Sequence, residues 1–363
     1  MTRSAPLMCL YLAGDEISVR FDPPFFASAP HSGVYAYETH LTGGAGWGRI
    51  GWHIFRTILL ARPDVVVSGE YRRAFLVNLA LLLTLSRAPH VVLGMNLSAK
   101  PIVSRNRLVQ RAINRVFGRS TAIVVHSTTE ADIFSRLHDL PRDRFAFSHW
   151  GFDLPEEGTR FDHEAKPYFC MIGRNNRDFN TFAAALGLAG ARGIAILPGY
   201  LELDPEVGQA VTVYRDLPME DCVNCIRNAS ANVTLLLDDS RGAGHITVVT
   251  AMHLGVPQIY SRTEVLGDYF CRPEFGEAVP IRDPARVAQA MRDVLERASQ
   301  PGSDDLVAAR KAFAQRWLSN DRSARRIFDV IQAAHEGRRI ALVDPAWDQW
   351  LQGEAARAET RNP

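Results

Sequence analysis

The 363-residue sequence has only five cysteines, Cys9, Cys170, Cys222, Cys225 and Cys271. An odd number scattered over so long a chain makes no disulfide framework and fits a reducing compartment, with the cytoplasm as the expected location. Cys222 and Cys225 form one C-x-x-C, but no second Cys pair or His pair follows at zinc-site spacing, so no metal site is expected. Long apolar runs are also missing. The longest, Ala74 to Leu85, is interrupted by Asn78 and falls short of the roughly 20 residues that cross a bilayer, so it reads as a buried helix. Met1 to Pro6 shows no apolar stretch behind a basic start, and a cleaved secretory signal is not expected.

Charge of one sign is absent overall, since 41 Lys and Arg stand against 40 Asp and Glu for a net +1. Such a balance argues against a strongly basic nucleic-acid binder or a polyanionic tail. The average conceals a block, however. From Tyr71 to Thr129 there are nine basic residues (Arg72, Arg73, Arg87, Lys100, Arg105, Arg107, Arg111, Arg115, Arg119) and no Asp or Glu, which leaves the remainder at −8. With 47% hydrophobic and 22% charged residues, the chain can build ordinary cores and is neither disordered nor collagen-like. Its length suggests two domains.

The pattern along the chain sets the fold class. Met8 to Leu12 is a short strand candidate, followed by a long irregular region rich in Pro and Gly up to a helix from about Trp52 to Ala61. Asp64–Ser68, His90–Gly94, Ala122–Val125 and Phe145–Ser148 then read as buried strands. Helices over Ala74–Ser86, Asn106–Phe117 and Thr129–Arg136 separate them. Val-rich runs alternating with helices indicate a parallel sheet covered on both faces. The polar segment Asp153 to Lys166 is the linker candidate. The alternation then restarts, with strands at Tyr168–Ile172, Ile194–Leu197, Val211–Tyr214, Val233–Leu237 and Pro257–Tyr260. Helices are expected over Phe179–Leu188, Glu220–Asn228 and Ile246–Leu254, and helical sequence continues over Pro284–Ala298 and Asp304–Ala334. The expected architecture is α/β, with two Rossmann-like doubly wound domains facing a cleft. Residues 1–155 form the first domain and 166–318 the second, and C-terminal helices over 319–363 pack back on the first. Open α/β sheets bind ligands beyond the carboxyl ends of their strands, so the cleft is the expected site.

Two loops of the second half carry chemistry. Tyr168–Ile172 runs into Gly173-Arg174-Asn175-Asn176-Arg177-Asp178, where Asp178 or Asn180 can cap the next helix. A glycine at a strand end admits a ligand to the backbone, and arginines beside a helix N-terminus suit a diphosphate. The alternative is a surface turn with solvated arginines. Between the strand VTLLL and the next helix lies Asp238-Asp239-Ser240-Arg241-Gly242-Ala243-Gly244-His245-Ile246-Thr247. Its glycines before a helix start can expose amide N–H groups as an anion seat, or simply form a plain loop.

The stretch Gly244-His245-Ile246-Thr247-Val248-Val249-Thr250-Ala251-Met252-His253-Leu254-Gly255-Val256-Pro257 resembles the donor-binding signature of GT-B glycosyltransferases, in particular glycosyltransferase family 4. The Gly173-Arg174 turn resembles the first loop of that family's C-terminal domain, and Asp268-Tyr269 sits where many members have Asp-Tyr. Residues 120–153 resemble the end of its N-terminal domain. The resemblance in organisation covers about residues 60 to 335. It implies transfer of a sugar from a nucleotide-sugar donor to an acceptor hydroxyl, with the nucleotide-sugar as substrate and no further cofactor or obligatory metal. Gly173, Arg174, Arg177, Gly244, His245, Ile246, Thr247 and Thr250 become the donor-binding candidates. One departure stands out: most members have Glu where this chain has Thr250, and Gly242 occupies the place of the first acid of the paired-glutamate pattern. A hydroxyl cannot make the bidentate charged contact to a ribose, so Asp238, Asp239 and Glu264 are the substitutes to consider.

In this fold the first domain holds the acceptor and, usually, a catalytic base. Strand ends there offer Glu70, Asn96, His126 with Ser127, and His149 with Trp150. A base must titrate within reach of the hydroxyl, which leaves Glu70, His126 and His149. Either histidine can equally be a satisfied polar group, and in a retaining enzyme the leaving diphosphate can assist instead. The Gly43-Gly44-Ala45-Gly46 loop is a further phosphate candidate, with a flexible loop as the stronger reading.

On the helix expected over 106–117, Arg107, Arg111 and Arg115 share one face, opposite Val109, Ala112, Ile113, Val116 and Phe117. That arrangement is a solvated face over a packed one, or a surface drawn to anionic lipid headgroups. Nucleic acid is not the expected partner, because Phe117 is the only aromatic from Ser98 to Arg119. The expected function is hexosyl transfer to an acceptor that is lipid-linked or a polysaccharide. A nucleotide-sugar epimerase of the same fold and a catalytically degenerate scaffold are the alternatives.

Overall fold

The computed structural model describes residues 9–12, 46–95, 101–203, 205, 211–298 and 300–361. The glycines at 43 and 44, Asn96 and Lys100 lie outside them. Contacts divide the chain into two compact units, one formed by Met1–His149 with Asp321–Pro363 and the other by Trp150–Asn320.

The first unit is built on five parallel strands in the order β1 (Cys9–Leu12), β2 (Val65–Gly69), β3 (His90–Leu93), β4 (Ala122–Val125) and β5 (Phe145–Phe147). Side chains alternate across a strand, so each Val-rich run serves two cores at once. Val66 packs with Ile54, Ile58, Val77 and Leu81 from α1 (Trp47–Ala61) and α2 (Tyr71–Leu83). On the same face Val92, Ile123 and Val125 meet Phe117 of α3 (Arg107–Phe117) and Phe134 of α4 (Thr128–His138). Burial of each such side chain contributes about 1.5–3 kcal/mol. Local signals set the helix ends. Arg62 closes α1 in the left-handed region at φ 45° before Pro63, which cannot continue a helix. Ser127 and Glu130 form a reciprocal capping box at the start of α4.

The second unit holds a six-stranded parallel sheet. Its strands are β6 (Tyr168–Ile172), β7 (Arg192–Leu197), β8 (Thr212–Arg215), β9 (Ala231–Thr234), β10 (Gln258–Ser261) and β11 (Glu277–Val279), in the spatial order β11-β10-β9-β6-β7-β8. This is the doubly wound order, and the direction of winding reverses between β6 and β9. α5 (Phe179–Ala189), α6 (Met219–Asn228), α7 (His245–Leu254), the short α8 (Glu264–Gly267), α9 (Pro284–Arg297) and α10 (Ser303–Trp317) complete the unit. The helical sequence expected over 304–334 is thus broken after Trp317. Its second part, α11 (Asn320–His335), presents Ala324, Ile327, Val330 and Ile331 to the face of the first sheet that carries Val65, Val67 and Val124. The chain ends in α12 (Pro345–Arg361).

Two local expectations differ from the structure. The segment 153–166 has the polar composition of a linker, but Phe161 within it is fully buried beside Tyr168 and Cys225, and its N–H donates to Asn224 Oδ1 at 2.7 Å. Asn224 Nδ2 also donates to Asp162 at 2.8 Å, and Glu157 and Glu164 pair with Arg227 and Arg192, so the polar side chains of the segment dock it as well. The strand expected over 233–237 is shifted back to 231–234, because from Leu235 onward the backbone bonds elsewhere. Asp178 N–H donates to the Leu235 carbonyl at 3.0 Å and Leu237 N–H to the Asn176 carbonyl at 3.3 Å.

Candidate functional site

Those displaced hydrogen bonds build the site. The loops after β6 and β9 are about 60 residues apart in sequence but adjacent at the switch point, where they are zipped together. Arg177 and Leu236 form an antiparallel bridge, and Asn176 Nδ2 donates to the Asp238 carbonyl at 2.9 Å. Asn176 is buried and left-handed at φ 55°, which Asn tolerates better than most residues. Asp178 caps α5 by accepting from Thr181 N–H at 3.0 Å and its hydroxyl at 2.7 Å.

Arg177 is the centre of this arrangement. Its Nε donates to the Ile172 carbonyl at 3.2 Å, Nη1 to the Asn175 carbonyl at 3.1 Å and Nη2 to Thr247 Oγ1 at 3.4 Å. All three acceptors are neutral, and among the described residues no carboxylate pairs with it. Burial pulls the guanidinium pKa down to about 10 without discharging it at neutral pH. Gly173 lies beneath it at φ 146°, where a Cβ would come within 2.6 Å of Nε. Arg174 is exposed and has no partner among the described residues.

Gly244, at φ 94°, starts α7 with no side-chain cap. A Cβ there would meet Thr234 at 2.8 Å and stand 3.7 Å from Arg177 Nη2, so only glycine lets the helix end come this close. The first-turn amides of Ile246 and Thr247 lack intrahelical acceptors, and the helix end carries partial positive charge. A guanidinium with no counter-charge beside such an end makes an anion seat. His245 is buried, stacked on Tyr269 with centroids 4.9 Å apart, and its Nε2 donates to the Val265 carbonyl at 3.2 Å. Asp239 accepts from Glu264 N–H at 3.0 Å and Val265 N–H at 3.4 Å, tying the loop after β10 to the other two.

Thr250 is not part of this surface. It is 2% exposed and its hydroxyl donates to the Ile246 carbonyl one turn back at 2.8 Å. Of the acids considered in its place, Asp239 is occupied as described. Asp238 accepts from Ser240 N–H and Oγ, which holds its carboxyl below the usual range. Glu264 is exposed, with no side-chain partner among the described residues. Thr263 beside it is 7% exposed, and its Oγ1 has no hydrogen-bond partner. Asn176 and Thr263 had no signal in the sequence strong enough to single them out, and Asp239 was named as a ribose-binding substitute, not as the tie to the loop after β10. A short run of Asn and Asp residues beside the two loops was the only hint.

In the first unit the three candidate bases sit in different environments. Glu70 follows β2 and precedes α2 at φ 62° and ψ 145°, a region nearly reserved for glycine. Holding a side chain there costs about 1–3 kcal/mol and is a recurrent mark of functional positions. Its carboxylate has no partner among the described residues. His126, beyond β4, donates from Nδ1 to the Ser148 carbonyl at 3.0 Å, which places the lone pair on Nε2. Nε2 faces Gly94, where a Cβ would lie 3.3 Å away. Burial lowers the His126 pKa to about 4, leaving it neutral and weakly basic. His149 is 7% exposed and lies edge-on to Phe147 and Trp347, with centroids 4.6 and 4.4 Å away. Glu70, Gly94 and His126 share the carboxyl edge of neighbouring strands β2–β4, with Glu70 and His126 about 10 Å apart by strand spacing.

The five cysteines are free thiols, and burial pushes Cys222 up to about 12, far from a reactive thiolate. Among the described residues no group of three or more His, Cys, Asp or Glu could hold a metal ion, and no helix is long and apolar enough to cross a membrane.

No family model matches the chain, and no curated protein matches it by sequence. Solved structures do match. A glycosyltransferase from Rickettsia africae ESF-5 superposes with TM-score 0.68 at 10% identity, over 91% of this chain and 98% of that one. Anabaena HepE in complex with UDP-glucose gives 0.67 at 12% identity, over 90% and 100%. Sucrose-phosphate synthase from Thermosynechococcus elongatus gives 0.64 at 13% identity, over 91% and 100%. The chain therefore has the fold of the GT-B glycosyltransferases, with two Rossmann-like units.

Proposed function

We propose that the protein transfers a sugar from a nucleotide-sugar donor to an acceptor hydroxyl. The observation that carries this reading is the Arg177 guanidinium, without a carboxylate partner, set against the uncapped start of α7 at the switch point. A diphosphate fits such a seat, because helix amides and a planar cation complement its oxygens. HepE, which shares the fold, was crystallised with UDP and with UDP-glucose. In this reading Gly173 and Gly244 allow close approach, Arg174 and Arg177 neutralise the phosphates, and Ile246 and Thr247 donate amides. His245 positions the helix start through Val265. The ribose-binding role given to Thr250 passes to Glu264, the acid left without a partner. The nucleotide-sugar is a substrate, and no further cofactor or metal is assigned.

Glu70 is the base this reading prefers, since His126 is too weakly basic and His149 is enclosed by aromatic rings. Its carboxylate would take the acceptor hydroxyl proton as the oxygen bonds to the anomeric carbon. The bond from that carbon to the phosphate oxygen breaks, and the nucleoside diphosphate leaves with the electron pair. We extend the reading to a hexosyl donor and a lipid-linked or polysaccharide acceptor, with the enzyme at the cytoplasmic face of a membrane. The lipopolysaccharide outer core galactosyltransferase WaaB, which shares the fold at TM-score 0.62, supports that extension.

The test is a thermal-shift and calorimetric panel of UDP, GDP, ADP and their sugars. At least one should raise the melting temperature and be slowly hydrolysed, and no response to any nucleoside diphosphate would sink the proposal. Thr250, turned back onto its own helix, favours a second reading as a degenerate scaffold of a membrane assembly, which predicts lipid binding with no turnover on any acceptor. An epimer formed without acceptor would identify the third alternative.

A further inference from the structure

The acid-poor block has a counterpart on the surface. Between residues 46 and 129 there are twelve basic residues and two acids, Asp64 and Glu70. α1 contacts α2 and α2 contacts α3, so these helices lie side by side on one face of the first sheet. The outward stripe of α1 runs Arg49, Trp52, Arg56, Leu59, Leu60, with Trp52 65%, Leu59 48% and Leu60 69% exposed. On α3 the stripe Arg107, Leu108, Arg111, Ala112, Arg115 is exposed throughout, with Leu108 at 72%. The apolar side expected to pack is covered at Ile113, Val116 and Phe117, while Ala112 is exposed and Val109 is 48% exposed. Bulky apolar side chains and arginines therefore alternate on the same outward faces.

None of Arg49, Arg56, Arg107, Arg111 and Arg115 has a carboxylate partner among the described residues. In the second unit Arg192 and Arg297 are exposed but each is paired, with Glu164 and Glu277. A soluble surface gains nothing from uncovered Trp and Leu between unpaired arginines. An anionic bilayer satisfies both, taking the apolar side chains at the acyl boundary and the guanidinium groups at the headgroups. We propose that the outward faces of α1 and α3 form a docking surface for membranes rich in anionic phospholipid. A nucleic acid would meet the charge but not Leu59, Leu60 and Leu108. The surface stands independently of the donor chemistry, and nucleotide binding measured on the same variants separates the two.

The experiment is flotation of the full chain with vesicles of phosphatidylcholine containing about one-third phosphatidylglycerol, against pure phosphatidylcholine. Binding should require the anionic lipid and fall at least tenfold when salt is raised to a Debye length of about 3 Å. The variant Arg107→Glu/Arg111→Glu/Arg115→Glu should lose at least tenfold, and Trp52→Ser/Leu60→Ser several-fold. Arg192→Glu/Arg297→Glu in the second unit should match the parent. All these positions are exposed, and melting curves and nucleotide binding should be unchanged. The proposal is overturned if anionic vesicles do not float the protein, or if binding survives both first-unit variants. It is equally overturned if single-stranded RNA, and not vesicles, binds with the same arginine dependence.

Discussion

The two units share a parallel-sheet plan and differ in how they treat charge. In the second, some exposed arginines are paired with carboxylates, as in Arg192–Glu164 and Arg297–Glu277, and Arg177 of the site is half-buried among neutral acceptors at the switch point. In the first, the arginines of α1 and α3 are unpaired on the outside, while polar groups are enclosed beneath them. Ser68, His90, Asn78 and Ser120 form a buried chain, with His90 Nε2 2.8 Å from Ser68 Oγ and Nδ1 2.7 Å from Asn78 Oδ1. Tyr71 donates to His138 Nε2 at 2.6 Å. The difference teaches that an almost neutral chain can enclose a cation among neutral acceptors in one unit and carry unpaired cations on outward helix faces of the other.

The largest effect should come from Glu70. Glu70→Gln is expected to lower kcat by about 10²–10⁴-fold, the range of general-base catalysis, with donor KM unchanged. A comparable loss from His126→Gln with Glu70→Gln silent would reverse the assignment. Next, Arg177→Met should weaken nucleoside diphosphate binding by about 10–100-fold, from loss of charge-assisted bonds. Calorimetry measures it directly, and an unchanged affinity would remove the anion seat from the comparison.

Acid should separate the units thermodynamically. Burial lowers His90 to about 3 and His126 and His138 to about 4, all in the first unit; in the second, burial also lowers His253, against the opposing effects of the Leu318 carbonyl and Asp153. A folded pKa below the unfolded value of about 6.5 means that the unfolded state binds the proton first. The stability is intact above pH 6.5 and is lost as pH falls toward 4. Calorimetric scans between pH 7 and 4.5 should show the first unit's transition moving down while the second lags. Coincident transitions at every pH would contradict this. A smaller gain, about 1 kcal/mol, is expected from Glu70→Gly through relief of the backbone strain, with activity lost. Smallest of all, Thr250→Val should leave nucleotide affinity within about twofold, because the hydroxyl already serves Ile246.

Much of this architecture was readable from residues alone. Continuous Val runs marked β2, β3 and β4, and the glycines at 173 and 244 marked the two loops, since each reports a backbone state that few other residues adopt. What escaped was long-range. Nothing local in Asn176 or Leu236 says that their loops pair across about 60 residues, and Phe161 is one apolar residue in a polar run. Thr250 departs from the usual Glu at its motif position, and its orientation depends on an i−4 hydrogen bond that a motif does not record. Glu70 entered as one of three bases, and its unusual φ, the feature that distinguishes it, is visible only in coordinates.

The bridge between Arg177 and Leu236, with Asn176 across it, has a kinetic consequence. A seat whose two walls are already hydrogen-bonded to each other requires no loop to move before the phosphates arrive. Stopped-flow association of a nucleoside diphosphate should then be a single phase whose rate rises linearly with concentration, without the plateau that a preceding rearrangement would impose. Asn176→Ala, by loosening one wall, should introduce that plateau.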